Sequence, residues 1–200
     1  MLGRGLRRSG ASRPAAPPTA GLRRPPRRDY GPGVPVTRFI TDSSLDFLAR
    51  RLRFLGYDVV TLEGARLEEV LAAARRQGRT VLTLSARRPR RWADVPAIAL
   101  RRGDEAAAVR MLATAYEPAG PPFSRCGECN TALERRHSIE AQGEVPGRVL
   151  RGSPVLHYCP GCGKWYWEGT HVQRLREWLE QALGRPLGPP ASPAGAAPQG

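Results

Sequence analysis

Lysine is almost absent from this chain of 200 residues: of its 32 basic residues, only Lys164 is not arginine. Long apolar runs are missing as well. No stretch approaches the ~20 apolar residues that a membrane-spanning helix needs, so a transmembrane span is not expected. The arginine-bearing N-terminus lacks the apolar segment of a secretory signal. It is rich in arginine and poor in acids, as organellar transit peptides are, but six prolines oppose the amphipathic helix such peptides form. Cysteine is limited to four residues. Without a secretory signal, paired cysteines favour metal binding in a reducing compartment over disulfides, and the expected location is cytoplasmic.

The two ends have few large apolar side chains. Residues 1–34 contain eight Arg, one Asp and six Pro, and residues 184–200 are rich in Gly, Pro and Ala. Neither composition buries enough surface to offset the entropy of ordering, so both are expected to be disordered tails. The remaining residues suffice for a real core and a small appended module. Net charge is +14, with +7 of it in the N-terminal segment. A chain this basic is drawn to polyanions, nucleic acid above all. The same bias towards Arg, Ala, Gly and Pro also fits a GC-rich coding sequence, and composition does not separate the two readings.

Apolar periodicity organises the middle. Arg38–Thr41 reads as a short strand, followed by a helix with Leu45, Leu48, Leu52 and Leu55 on its inner face. Arg50, Arg51 and Arg53 fall on the other faces. Ser43 or Ser44 can cap the helix start, and Gly56 suits its stop. Val59–Thr61 is a second strand, and Leu67, Val70, Leu71 and Ala74 mark a second helix ending near Gly78. Thr80–Leu84 and Ala97–Leu100 are further strands, joined by a loop carrying Arg87, Arg88, Arg90 and Arg91. Residues 104–116 form a third helix. Strands alternating with helices predict an α/β fold with a parallel sheet and right-handed crossovers. Ligands in such sheets bind beyond the carboxyl ends of the strands, which picks out Asp42, Glu63, Ser85 and Asp104.

Pro118–Pro122 is a natural break. Beyond it lie Cys126-Gly-Glu-Cys129 and Cys159-Pro-Gly-Cys162, with 29 residues between the pairs. Two Cys-x-x-Cys turns supply four thiolates for tetrahedral zinc, a closed structural site with no open position for substrate. The long insert predicts an extended hairpin or loop. In Lys164-Trp165-Tyr166-Trp167, a strand would place the two tryptophans on one face, as a ribbon core or as rings for base stacking. Thr170 is read as the cap of a last helix running to about Leu183.

Carboxylates converging at strand ends are what magnesium or manganese requires for phosphodiester chemistry, although an Asp after a strand is often simply a helix cap. Phe39-Ile40-Thr41-Asp42, Leu48-Ala49-Arg50, Leu52-Arg53 and Leu55-Gly56-Tyr57-Asp58 resemble the opening of the Mut-seven C-terminal RNase family of PIN-like nuclease domains. The similarity continues through Gly78-Arg79 and Val81-Leu82-Thr83, then both cysteine pairs with Asn130 and Lys164, and closes on Tyr166-Trp167-Glu168-Gly169-Thr170-His171.

The resemblance implies a PIN-like sheet over 36–117, a zinc ribbon with a C-terminal helix over 123–183, RNA as substrate, and Mg2+ or Mn2+ at an acidic site. Asp42 matches the family's metal-binding acid and Asp104 matches approximately. The family's acid after the third strand is replaced by Ser85. The acid opening the second helix falls at Leu67, beside Glu68 and Glu69. Asp46 stands where the family has Gly and is positioned to compensate.

The expected catalytic set is therefore Asp42 and Asp104 with Asp46 or Glu69, and the RNA contacts are Arg87, Arg88, Arg90 and Arg91. Three functions compete: a metal-dependent endoribonuclease, a non-catalytic RNA-binding protein on a decayed nuclease fold, and a zinc-ribbon module that docks a protein partner.

Overall fold

Strands β1 (Phe39–Asp42), β2 (Val59–Leu62), β3 (Thr80–Thr83) and β4 (Ala97–Ala99) form one parallel sheet in the order β2-β1-β3-β4. The computed structural model describes residues 37–188, so the expected tails over 1–34 and from 189 onward lie outside the described residues. Each strand is short and apolar on both sides, as befits a sheet covered on both faces. Successive residues alternate between those faces. Phe39, Val59 and Leu82 join one core, while Ile40 and Val81 join another.

Helix α1 (Asp46–Phe54) follows a 3-10 turn over Ser43–Leu45 and covers the first face with α3 (Glu105–Ala115) and α5 (Thr170–Leu183). Helix α2 (Leu67–Gln77) covers the second face through Val70, Leu71 and Ala74, joined by Val95. The predicted inner residues Leu45, Leu48, Leu52 and Leu55 are all buried. Gly78 ends α2 in the left-handed region, as its position suggested. Gly56 closes α1 at φ +91°, and a Cβ there would lie 2.0 Å from the Gly120 carbonyl oxygen. Only glycine lets the 118–122 segment cross so close to the end of the helix.

Two local expectations are corrected. The cap before α1 is neither Ser43 nor Ser44. The Asp42 carboxylate accepts from the Ser44 amide and ends the strand itself. Arg53, expected on an outer face, is 1% exposed.

The second sheet is antiparallel, with β5 (Glu134–His137), β6 (Val155–Tyr158) and β7 (Trp165–Tyr166) in that order. The insert between the cysteine pairs is a hairpin whose tip carries a 3-10 turn (Ser138–Ala141) and the short helix α4 (Gly147–Gly152). Ala141, Val145 and Leu156 form its own small core, against which Trp165 and Trp167 pack. The tryptophans therefore share a face within the ribbon core, and the Trp165 indole N–H reaches Glu144 Oε2 at 3.2 Å.

The expected cap of the last helix is corrected too: Thr170 is the first residue of α5, Gly169 is its cap residue, and the helix returns to pack on α3. Of the residues expected in the C-terminal tail, Leu187 packs against the first core and its amide donates to Glu180 Oε1 at 2.9 Å. All the described residues fall in one compact unit. No helix among them is long and apolar enough to cross a membrane.

Candidate metal centre and nucleic-acid interface

The ribbon fold brings both cysteine pairs to one point. The sulfurs of Cys126, Cys129, Cys159 and Cys162 all lie within 4.8 Å of one another. Cys126 to Cys162 is 3.6 Å and Cys129 to Cys159 is 3.3 Å, and none of the four is in a disulfide. Tetrahedral zinc with Zn–S bonds of about 2.3 Å separates its sulfurs by about 3.8 Å, so the cage fits that ion.

The thiols are electrostatically unequal. Burial pushes Cys159 up to about 12, and the adjoining Cys129 thiol adds to the rise. Burial also opposes ionisation of Cys129, yet the Thr131 hydroxyl and amide, with Cys159 and Cys126, bring it down to about 6. Four sulfurs this close do not ionise together unless a cation takes their charge. The surrounding donors suit thiolates: the Tyr166 hydroxyl lies 3.0 Å from Cys126 Sγ and the Cys129 amide 3.5 Å from it. These residues form a cluster able to hold a metal ion, compatible with structural zinc.

Sequence reasoning missed how this cluster is fastened to the parallel sheet. Buried Arg53 donates from Nε to the Val59 carbonyl at 2.8 Å and from Nη2 to Thr61 Oγ1 at 2.6 Å. Its Nη1 reaches the carbonyls of Gly127 and Glu128, each at 2.8 Å. Asn130, at φ +68°, accepts from the Val59 amide at 3.1 Å and donates to Asp58 Oδ1 at 2.6 Å. Asp58 also pairs with Arg79 at 2.8 Å. Strand β2 lies at the sheet edge, and there Arg53 and Asn130, the latter just after the first cysteine turn, satisfy the outward carbonyl and amide of Val59. Three arginines within four positions look alike in a sequence. The signal that could have marked Arg53 and Asn130 was their place inside the family-like motifs.

The four expected catalytic acids have distinct surroundings. Asp42 ends the central strand β1, at the switch point where β1 leads to α1 on one face and β3 leads to the 85–95 segment on the other. Its Oδ1 accepts from the Ser44 amide at 2.8 Å and from the Ser44 hydroxyl, while Oδ2 makes no hydrogen bond among the described residues. Asp104 caps α3 by accepting from the Ala107 amide at 3.1 Å, again through Oδ1 alone.

Asp46 is held differently. Oδ2 accepts from Arg50 Nε at 2.8 Å, and Oδ1 accepts from the Thr61 hydroxyl at 3.1 Å with Arg53 at 3.9 Å. Burial raises its pKa, but these partners, Arg50 foremost, hold it below the usual carboxylate value. Glu69 turns back onto its own helix and accepts from the Arg66 amide at 2.6 Å. Ser85, where the family-like pattern lacks its acid, donates its hydroxyl to the Arg87 carbonyl at 2.8 Å. Among the described residues, the four cysteines are the only group of three or more His, Cys, Asp or Glu able to hold a metal. Asp42 and Asp104 each keep one carboxylate oxygen without a hydrogen bond among the described residues, and neither belongs to a group of three or more such ligands.

Arginines surround this end of the sheet. Arg88 donates to the Val95 carbonyl and Arg91 pairs with Glu68. The exposed side chains of Arg87 and Arg90 make no hydrogen bond or ion pair among the described residues. Arg66, Arg87 and Arg88 line an open groove of about 940 Å³ that runs past Glu68 and Glu69. A neighbouring hollow of about 360 Å³ is lined by Thr83, Ser85 and Arg90 among others. Arg66, Arg101 and Arg102 follow strands β2 and β4, so the rule that ligands bind beyond strand ends could have added them to the predicted basic loop.

A parallel sheet covered on both faces, with an acid at its switch point and a four-cysteine cluster on its edge, defines an α/β domain with a metal-binding ribbon. Residues 37–179 match the Mut7-C RNAse domain, and the chain belongs to that family. No curated protein and no solved structure matches it.

Proposed function

We propose that this chain is a metal-dependent ribonuclease-like protein that takes RNA across the carboxyl end of its parallel sheet. The reading rests on family membership together with one structural observation: Asp42 stands at the β1/β3 switch point with a carboxylate oxygen to spare, and the segment after the neighbouring strand β3 carries Arg87 and Arg90 without partners among the described residues. Arg87 and Arg90, with Arg66, Arg101 and Arg102 nearby in the topology, gather the phosphate backbone through charge. Asp42 and Asp104 would hold Mg2+ or Mn2+, which activates water and stabilises the leaving oxygen in phosphodiester cleavage. The cysteine cluster carries structural zinc, which stabilises a ribbon with few core residues of its own. Residues 36–117 act as the nuclease-like part and 123–183 as the zinc part. Paired thiols favour the reducing cytoplasm.

A second reading draws on the acids themselves. Asp46 is engaged by Arg50, Glu69 by its own helix, and Ser85 supplies no charge. That pattern favours an RNA-binding protein whose nuclease site has decayed.

Both readings meet in one experiment with labelled RNA, across a range of Mg2+ and Mn2+ and in chelator. Asp42→Asn is the informative variant, because asparagine preserves the cap on the 3-10 turn. Manganese-stimulated cleavage that disappears in Asp42→Asn while binding persists is the expected result. Binding that falls steeply with salt, without cleavage at any metal concentration, identifies the decayed site. Absence of binding at low salt sinks both.

A further inference from the structure

Among the described residues, three large apolar side chains are exposed: Phe47 at 57%, Ile139 at 66% and Val155 at 38%. Ile139 and Val155 belong to the ribbon insert, where nothing indicates a covering partner. Phe47 is different. It lies in the first turn of α1, five positions beyond Asp42, at the end of the helix that faces the strand termini. Its ring has a prepared underside. The Arg51 guanidinium, one helical turn on, stands 4.1 Å from the Phe47 centroid and 3.2 Å from the Trp178 centroid. Trp178 comes from α5, so three planar groups from two helices form one stack whose outer member is Phe47.

Arg51 is committed to that stack. Its Nε and Nη1 are buried and make no hydrogen bond. Buried guanidinium donors without partners are rare, and the flat faces of two rings account for this one. The stack stands in the first two turns of α1, the helix that follows Asp42 and its 3-10 turn.

We propose that Phe47 is a stacking platform for an unpaired RNA base beside the Asp42 end of the sheet. The inference rests on the RNA-binding reading above and adds the side chain that receives a base. Aromatic rings accept any base through its π-face, and the bases of a duplex, stacked on one another, cannot lie flat on Phe47. Arginines at the same sheet end hold the backbone while the ring holds the base. Holding Phe47 from beneath lowers the entropy lost when a base settles on it.

The test compares wild type, Phe47→Ala and Phe47→Trp in chelator, so that cleavage does not intervene. The probes are a single-stranded RNA carrying 2-aminopurine and a duplex of the same sequence. Phe47 is exposed, and Phe47→Ala should fold normally by circular dichroism. Wild type is expected to prefer the single strand and to quench 2-aminopurine. Phe47→Ala should weaken single-strand binding about tenfold or more, abolish the quenching and leave duplex binding unchanged, and Phe47→Trp should restore both signals. Equal single-strand binding by wild type and Phe47→Ala overturns the platform while leaving RNA binding intact. Equal losses for single strand and duplex overturn it too. If wild type binds neither RNA, the function itself falls with it.

Discussion

Replacing Arg53 with methionine should cost more than any exposed arginine in the chain. Methionine keeps most of the stem and its packing but removes every donor. The guanidinium holds the Val59 carbonyl, the Thr61 hydroxyl and the carbonyls of Gly127 and Glu128 at 2.6–2.8 Å. An acceptor left buried without a partner costs about 1–3 kcal/mol. Some of these groups recover water once the side chain has gone, so the full sum is not reached. The loss should be about 3–5 kcal/mol, the range found when one member of a buried ionic network is removed. Against a typical stability of about 5–15 kcal/mol this is severe, and it corresponds to a fall in melting temperature on the order of 10 °C or more. Lysine keeps the charge but not the fork, and should recover less than half of the loss.

The signature of this linkage is a joint effect. Urea unfolding should show the lost stability, and competition with a chromogenic chelator should show faster metal release, because Gly127 and Glu128 lie inside the first cysteine turn. A variant within about 1 kcal/mol of wild type, or one that is destabilised but releases metal at the normal rate, would refute the claim that Arg53 couples sheet and ribbon.

Two further outcomes follow from the same interface. Asp58 is held below the usual carboxylate value: burial raises it, but Arg79 and Asn130 outweigh that. Its contribution is complete above the unfolded value of about 3.9 and is lost as pH falls through the lower folded value. Asp58→Asn should therefore be less stable than wild type at pH 7, with the gap closing below about pH 4 in parallel urea titrations. Removing zinc with excess chelator under reducing conditions should lower the melting temperature by about 10 °C or more, and zinc rather than magnesium should restore it. A melting curve indifferent to the chelator would exclude a structural metal.

The sequence made the parallel sheet legible because its strands and helices carry uninterrupted periodicity. Leu45, Leu48, Leu52 and Leu55 repeat at helical spacing, and Val70, Leu71 and Ala74 do the same for α2. The cysteine cluster was legible because two short turns encode it locally. The contacts between ribbon and sheet were not, because they depend on which of several arginines points inward. Arg50, Arg51 and Arg53 are chemically identical, yet the first pairs with Asp46 and Glu128 at the surface, the second lies between Phe47 and Trp178, and the third is buried. At ~100° per residue the three point in directions roughly 60° to 160° apart around α1, and each direction has its own fate. The acids illustrate the reverse limit. Position after a strand singled out Asp42 and Asp104, but could not tell that Asp46 and Glu69 already had partners.

The seating of Asn130 and Arg53 on the outermost parallel strand has a bearing on how the protein could fail. A bare strand margin invites another chain to add itself, and here Arg53 and Asn130 occupy that margin at Val59, beside the first cysteine turn. Were that turn to loosen, the molecule would shed a guard as well as a brace, and self-association through β2 would compete with simple unfolding.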